Sequence, residues 1–298
     1  MDNRLKRFLS DPGLKLQRLR GEKGIRHLFK QYSDKSVEAG IDKLYFVLSF
    51  DCDIRDDLEV IDTLNSKLNS IGIKPVYAAP GKIIEINSDV FRNVISKGSE
   101  IINHGYDNHA YFDESLDRYV STFFYDKLSY EEVRQDIIRG DETIKNLLGI
   151  SPSGFRAPHF STFQGPRQLE CIYTTLIELG YKYSTTTMPV TGLKNGAAFR
   201  RNEITEFPVS GMWSNPFAIL DSWNFFKAPD RIYAAEDYFD EGNAIASYFS
   251  EYNLSGVLNY YADPSHVIDN DIFFGTVEKW AGIARNVTYS ELMKEIQT

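Results

Sequence analysis

What most constrains the fold of this chain is an alternation of short, apolar, β-rich runs with helical stretches, repeated about seven times. Residues 43–50 (KLYFVLSF) form a nearly unbroken apolar run, the pattern of a strand buried on both faces. Leu58, Ile61, Leu64, Leu68 and Ile71 follow at helical spacing, Gly72 stops them, and 74–79 resumes as a strand. Residues 90–95 are helical and end near Gly98, before the strand 100–103. Ser129 caps a helix over 130–148, Glu132 completes a capping box and Gly149 closes it. Strands at 153–156, 181–187, 204–209 and 256–261, with a helix over 169–179 ended by Gly180, carry the alternation on. Such a chain forms an α/β barrel or a doubly wound sheet. The unusual polar segments each follow the carboxyl end of a different strand, as barrel active sites do. The expectation is therefore an α/β protein with a distorted (β/α) barrel of about seven parallel strands in a single domain. It spans 41–298, after a polar, N-terminal helical extension over 1–40.

A chain of 298 residues can bury a barrel-sized core, and 42% hydrophobic with 25% charged residues is ordinary globular composition. The net charge of −9 and the lack of a basic stripe argue against a nucleic-acid partner. Cys52 and Cys171 lie far apart without CxxC spacing, so free thiols are expected rather than a thiolate cluster. Residues 1–8 run into charged sequence without an apolar signal region, and no run of about 18 apolar residues exists. A cytoplasmic location without a membrane span is the expectation, and the oligomeric state is left open.

Four of the five histidines, His104, His109, His159 and His266, lie in the segments that follow strands. Histidine is the commonest metal ligand and titrates near neutrality. Asp51 and Asp53, two apart at a strand end, can look to one face. His104 and His109 are five apart, roughly 140° round a regular helix, so a loop or bulge is needed to join them, and Gly105 permits one. Arg156-Ala157-Pro158-His159 places a permanent cation and a rigid turn after a strand, and an arginine can hold a carboxylate ionised. Asp263-Pro264-Ser265-His266 follows the last strand. Each segment alone is also what an ordinary turn or salt bridge looks like.

Taken in this order, the segments resemble the polysaccharide deacetylase family, carbohydrate esterase family 4, over roughly residues 44–295. The resemblance extends to Glu206-Phe207-Pro208-Val209 and to the helix leading into Gly154-Phe155-Arg156-Ala157-Pro158. It implies Asp51 as general base, Asp53, His104 and His109 as ligands of one divalent metal ion, Zn²⁺ by preference, and Arg156 as the arginine that orients the base. It also implies substrate contacts from Pro158, from the backbone N–H near His159, and from Asp221 and Trp223, which match an aspartate and tryptophan supporting the arginine and the acetyl pocket. The implied activity is metal-dependent N-deacetylation of an N-acetylated sugar in a saccharide or surface-polysaccharide precursor.

Two departures stand out. The family's histidines are usually four apart, which would put Asn108 rather than His109 in the second position. Its general-acid histidine usually precedes a proline where this chain has Asp263, so His266 is the expected acid and His159 the alternative. The aromatic segment 110–128 is placed to form a lid or a sugar-stacking wall, or else a helix packed on the barrel. Hydrolysis of a linear or cyclic non-sugar amide, and a degenerate barrel that binds saccharide without cleaving it, are the other two readings.

Overall fold

A computed structural model describes residues 13–14, 20–228, 231 and 233–296. Its strands are β1 (Leu44–Asp51), β2 (Val76–Ala79), β3 (Glu100–Asn103), β4 (Ala110–Asp113), β5 (Arg118–Ser121), β6 (Gly154–Phe155), β7 (Tyr183–Ser184), β8 (Phe199–Arg201), β9 (Ile204–Glu206), β10 (Gly256–Ala262) and β11 (Arg285–Asn286). Seven of them run parallel in the order β10-β1-β2-β3-β6-β7-β9; β8 joins β9 antiparallel, and β11 pairs with β1. The sheet curls into a distorted (β/α) barrel in a single domain. The helices used below are α1 (Glu22–Glu38), α2 (Arg55–Ser70), α3 (Tyr130–Leu148), α4 (Asp271–Ala281) and α5 (Tyr289–Glu295). Part of the expected N-terminal extension, 1–12 and 15–19, lies outside the described residues.

Period-two alternation decides what faces the barrel interior. Along β1, Phe46, Leu48 and Phe50 pack with Leu58 and Ile61 of α2 and with Phe273 and Trp280 of α4. Tyr45 and Val47 look the other way, to Val76, Ala78, Ile102, Val257 and Tyr289. Ser49 and Asp51 share that second parity, so β1 delivers a carboxylate to the interior at its carboxyl end. The same rule turns Asn259 and Tyr261 of β10 inward, since Leu258 and Tyr260 join the outer cluster.

No ladder joins β9 to β10, and a buried side chain spans the interval. Asn259 Nδ2 donates to the carbonyls of Phe207 and Pro208 (3.0 Å each) and to Thr185 Oγ1 (3.1 Å). Ser210 N donates to the Asn259 carbonyl at 2.8 Å. The open side is thus stitched by Asn259 and Ser210 rather than by a strand ladder. Outside it, Tyr32 of α1 donates its hydroxyl to the Val257 carbonyl at 2.8 Å.

Residues 110–121 correct the helical reading of that segment. They form the hairpin β4–β5, with Phe112 opposite Tyr119 and their rings 5.2 Å apart. Asp113 Oδ1 accepts from Ser115 N and Leu116 N (2.9 and 3.2 Å), an Asx-type turn that closes the hairpin. Helix α3 keeps its expected ends: Ser129 and Glu132 form the capping box, and Gly149 adopts φ 69°.

Candidate metal and catalytic site

The site is assembled at the carboxyl ends of β1, β3, β6 and β10. Asp51 ends β1, and Asp53 follows in a turn held by Asp57, whose Oδ2 accepts from the backbone N–H groups of Asp53 (3.1 Å) and Ile54 (3.2 Å). Asp57 Oδ1 accepts from Ser265 N at 3.0 Å, which ties the turn after β1 to the turn after β10. Burial, with Asp263 nearby, pushes the Asp57 carboxyl up to about 7.

His104 directly follows β3 and is buried. Its Nδ1 lies 2.8 Å from the Arg156 carbonyl oxygen. A carbonyl only accepts, so Nδ1 carries the hydrogen and Nε2 keeps its lone pair toward the carboxylates. That Nε2 stands 3.5 Å from Asp53 and 3.9 Å from Asp51. The loop between the two histidines absorbs the five-residue spacing. Gly105 takes φ 83°, and Asp107 N donates to Asp136 Oδ1 at 2.8 Å, while Tyr125 fixes the other oxygen of Asp136 at 2.7 Å. His109 is thereby turned inward, fully buried, with Nδ1 3.1 Å from Asp53 Oδ1, and Asn108 faces solvent.

Asp53, His104 and His109 place one ligand atom each within 4.8 Å of one another. Ligands on a tetrahedral ion with bonds of about 2.0–2.1 Å stand roughly 3.3 Å apart. The 3.1 and 3.5 Å separations from Asp53 Oδ1 match that spacing. Burial lowers His104 to about 4 and His109 well below its ordinary value, so both rings are neutral and able to ligate. The donor set fits a divalent metal.

Arg156 is wholly buried just after β6 and donates from Nη1 to Asp51 Oδ1 at 2.5 Å. Its Nη2 donates to Ser49 Oγ (2.7 Å) and Tyr289 Oη (3.0 Å). Burial disfavours the guanidinium charge, but the Asp51 carboxylate outweighs it and keeps Arg156 ionised. Burial likewise lifts Asp51 above the ordinary carboxylate value, and Arg156 only partly offsets that. Phe160 and Tyr261 lie against the guanidinium, 5.5 and 5.4 Å from its carbon, and 4.9 Å from each other.

A second group of polar residues borders this centre. Asp263 Oδ2 accepts from Ser222 Oγ (2.9 Å) and lies 3.0 Å from His266 Nδ1. Burial opposes charge on His266, yet Asp263 prevails and raises its pKa; burial also opposes charge on Asp263, which His266 and Ser222 hold below the ordinary carboxylate value. Trp223 is 44% exposed, its ring 5.8 Å from His266. His159, at φ 53° after the buried Pro158, stacks on Phe124 at 4.3 Å, lies 5.8 Å from His109, and is anchored through Nε2 to the Thr122 carbonyl at 2.6 Å. Asp221 accepts from Asn224 N (2.7 Å) and Nδ2 (2.6 Å), and it is not among the hydrogen-bond partners of Arg156.

Residues 42–170 match the family model for polysaccharide deacetylase. That stretch belongs to the polysaccharide deacetylase family. No curated protein sequence matches the chain. A structure described as a polysaccharide deacetylase from Mycobacterium smegmatis superposes with TM-score 0.64 at 15% identity, covering 87% of this chain and 91% of that one. One so described from Pseudomonas aeruginosa PAO1 gives 0.57 at 13% identity, over 87% and 92%. PuuE allantoinase gives 0.55 at 14%, over 86% and 90%. At such identities these likenesses establish the shared fold.

The matched stretch ends at 170, so the deacetylase model covers Asp51, Asp53, both buried histidines and Arg156 but none of the residues that close the far side. Sequence reasoning missed Ser49, Asp57, Asn259, Tyr261 and Tyr289. Only Ser49 carried a signal, by sharing strand parity with Asp51.

Proposed function

We propose that this polysaccharide deacetylase domain is a metal-dependent amide hydrolase that removes the acetyl group from an N-acetylated saccharide. The observation that carries the reading is the convergence of Asp53, His104 and His109 beside the Asp51–Arg156 pair at the open end of the barrel. A divalent cation held by those three, zinc by the chemistry of two imidazoles and a carboxylate, supplies Lewis-acid polarisation and an acidified water. Asp51 takes the proton of the attacking water, its lifted pKa bringing it closer to the range useful for a base. Arg156 holds Asp51 in place, and the backbone N–H of His159 donates to the developing oxyanion. Exposed aromatics favour a saccharide over a small closed-in amide: Tyr111 (51% exposed) and Phe112 (48%) on the hairpin after His109, and Trp223 beside His266. Among the described residues no helix is long and apolar enough to cross a membrane. The test is acetate release from N-acetylglucosamine oligomers by protein reloaded with zinc. Turnover that a chelator abolishes and zinc restores supports the reading; zinc binding with no acetate released from any N-acetylated sugar, or no zinc binding at all, overturns it.

His266 is the group we assign to protonate the leaving amine, with Asp263 as its carboxylate partner. A histidine donates while protonated, so the step weakens as pH rises through its pKa, and Asp263 moves that limit upward from the ordinary value of about 6.5. The alkaline limb of kcat against pH is therefore expected above about 6.5. In Asp263→Asn it should move to lower pH, and in His266→Ala it should vanish with a loss of about 10²-fold or more. An alkaline limb that both variants leave in place excludes His266 as the donor.

A further inference from the structure

We infer that Tyr289, acting with Ser49, is a positioning residue for the catalytic pair: it holds the rear nitrogen of Arg156 so that the front nitrogen meets Asp51. The inference rests on the hydrolase reading above and adds a component from the last helix, α5, beyond the stretch matched by the family model.

The geometry is that of a clamp. Arg156 Nη1 is committed to Asp51 at 2.5 Å, and Nη2 to Ser49 and Tyr289 at 2.7 and 3.0 Å, while Nε is buried without a partner. With Nε unheld, the orientation of the guanidinium plane depends on Nη1 and Nη2. Asp51 fixes one end, so Nη2 decides the angle at which Nη1 arrives. The Tyr289 hydroxyl accepts from Arg156 and has one hydrogen to give; the shorter of its contacts, 2.6 Å, is to Asn259 Oδ1, and Thr185 Oγ1 lies at 3.2 Å. Asn259 is one of the two residues that stitch the interval between β9 and β10. A chain of hydrogen bonds thus runs from barrel closure through Tyr289 and Arg156 to Asp51. All of its side chains from Ser49 to Asn259 are buried, where an unpartnered polar group is costly and the paired arrangement is rigid. Asp221, the residue expected in this supporting role, has its oxygens on Asn224 instead.

Tyr289→Phe deletes one oxygen from this chain and changes nothing else in shape. With zinc and an N-acetylglucosamine oligomer, kcat should fall about 10-fold to 10²-fold while KM and zinc content stay as in the wild type, since misplacing a reacting group costs rate rather than binding. In an Arg156→Lys background the same substitution should cost less than about 3-fold, because Tyr289 acts only through the guanidinium. Equal losses in both backgrounds overturn the inference in favour of a general packing role. A second readout needs no turnover: ¹⁵N spectra of the zinc-loaded protein should show slowed rotation of the Arg156 guanidinium, absent in Arg156→Lys and lost in Tyr289→Phe. Retention of that signature in Tyr289→Phe sinks the proposal even if the protein proves inactive, in which case the hydrolase reading fails separately. Should Tyr289→Phe not fold, Ser49→Ala removes the other acceptor of the same nitrogen, and an unchanged guanidinium signal and kcat there count against the clamp.

Discussion

Alanine at His104 or at Asp53 is expected to strip the protein of its divalent metal and take acetate release to background. On the proposed reading each residue supplies one of three protein ligands, and outer-shell partners alone are worth roughly 10–100-fold in metal affinity, so a ligand is worth more. His109→Ala should behave the same way, whereas Asn108→Ala should keep both metal and activity, because Asn108 faces solvent while His109 lies 3.1 Å from Asp53. Elemental analysis after dialysis, paired with acetate release, reads all four variants. If His109→Ala keeps full metal and Asn108→Ala loses it, the second ligand has been misassigned. The pH dependence has a definite sign. Protons compete with metal for the imidazoles, and burial has lowered His104 to about 4, so metal content should hold through mild acid and fall only toward that value.

The spacing that looked like a defect in the sequence is a property of the loop. Two histidines five apart fail on a helix, but His104 directly follows a strand and His109 directly precedes a hairpin, with Asp136 of α3 pinning the backbone between them. Nothing near His104 in sequence announces Asp136. What was legible was the strand end, the glycine that permits φ 83° at position 105, and the ligand types. Strand parity also placed Asp51 on the interior face, because a period of two needs no tertiary knowledge, whereas Asp53 lies past the strand end in a turn that Asp57 holds.

Contacts that close the barrel were not legible, for a physical reason. Asn259 sits in GVLNYYA, an apolar run in which one amide reads as an interruption, and its partners are backbone carbonyls 51 and 52 residues away. Tyr289 meets Arg156 across 133 positions from the first residue of a helix. Side chains that act through tertiary hydrogen bonds leave no period and no cap signature. The hairpin is a different case: YFD and RYVS flank an aspartate-led turn, so its strand character was present, although the segment was read only as a lid or wall, or else as a packed helix.

Asp51→Asn should cost about 10²–10⁴-fold in kcat while leaving the metal in place. The substitution keeps the shape and removes the basicity. An amide can still take a hydrogen bond from Arg156 through its oxygen, so the 2.5 Å contact has a neutral replacement, at the cost of the guanidinium's buried counter-charge. Asp51 is not one of the three clustered ligands, so zinc content should match the wild type. A base works only when ionised. Burial raises the Asp51 pKa, so activity in the wild type should be lost as pH falls through a value above the ordinary carboxylate range, and the variant should lack that acid limb. Arg156→Lys should lie between the two, since a lysine keeps a charge near Asp51 but cannot reach Ser49 and Tyr289 with a second nitrogen. Acetate release from the Asn variant at the wild-type rate, with the acid limb intact, would show that another group takes the proton and that the Asp51–Arg156 pair is structural.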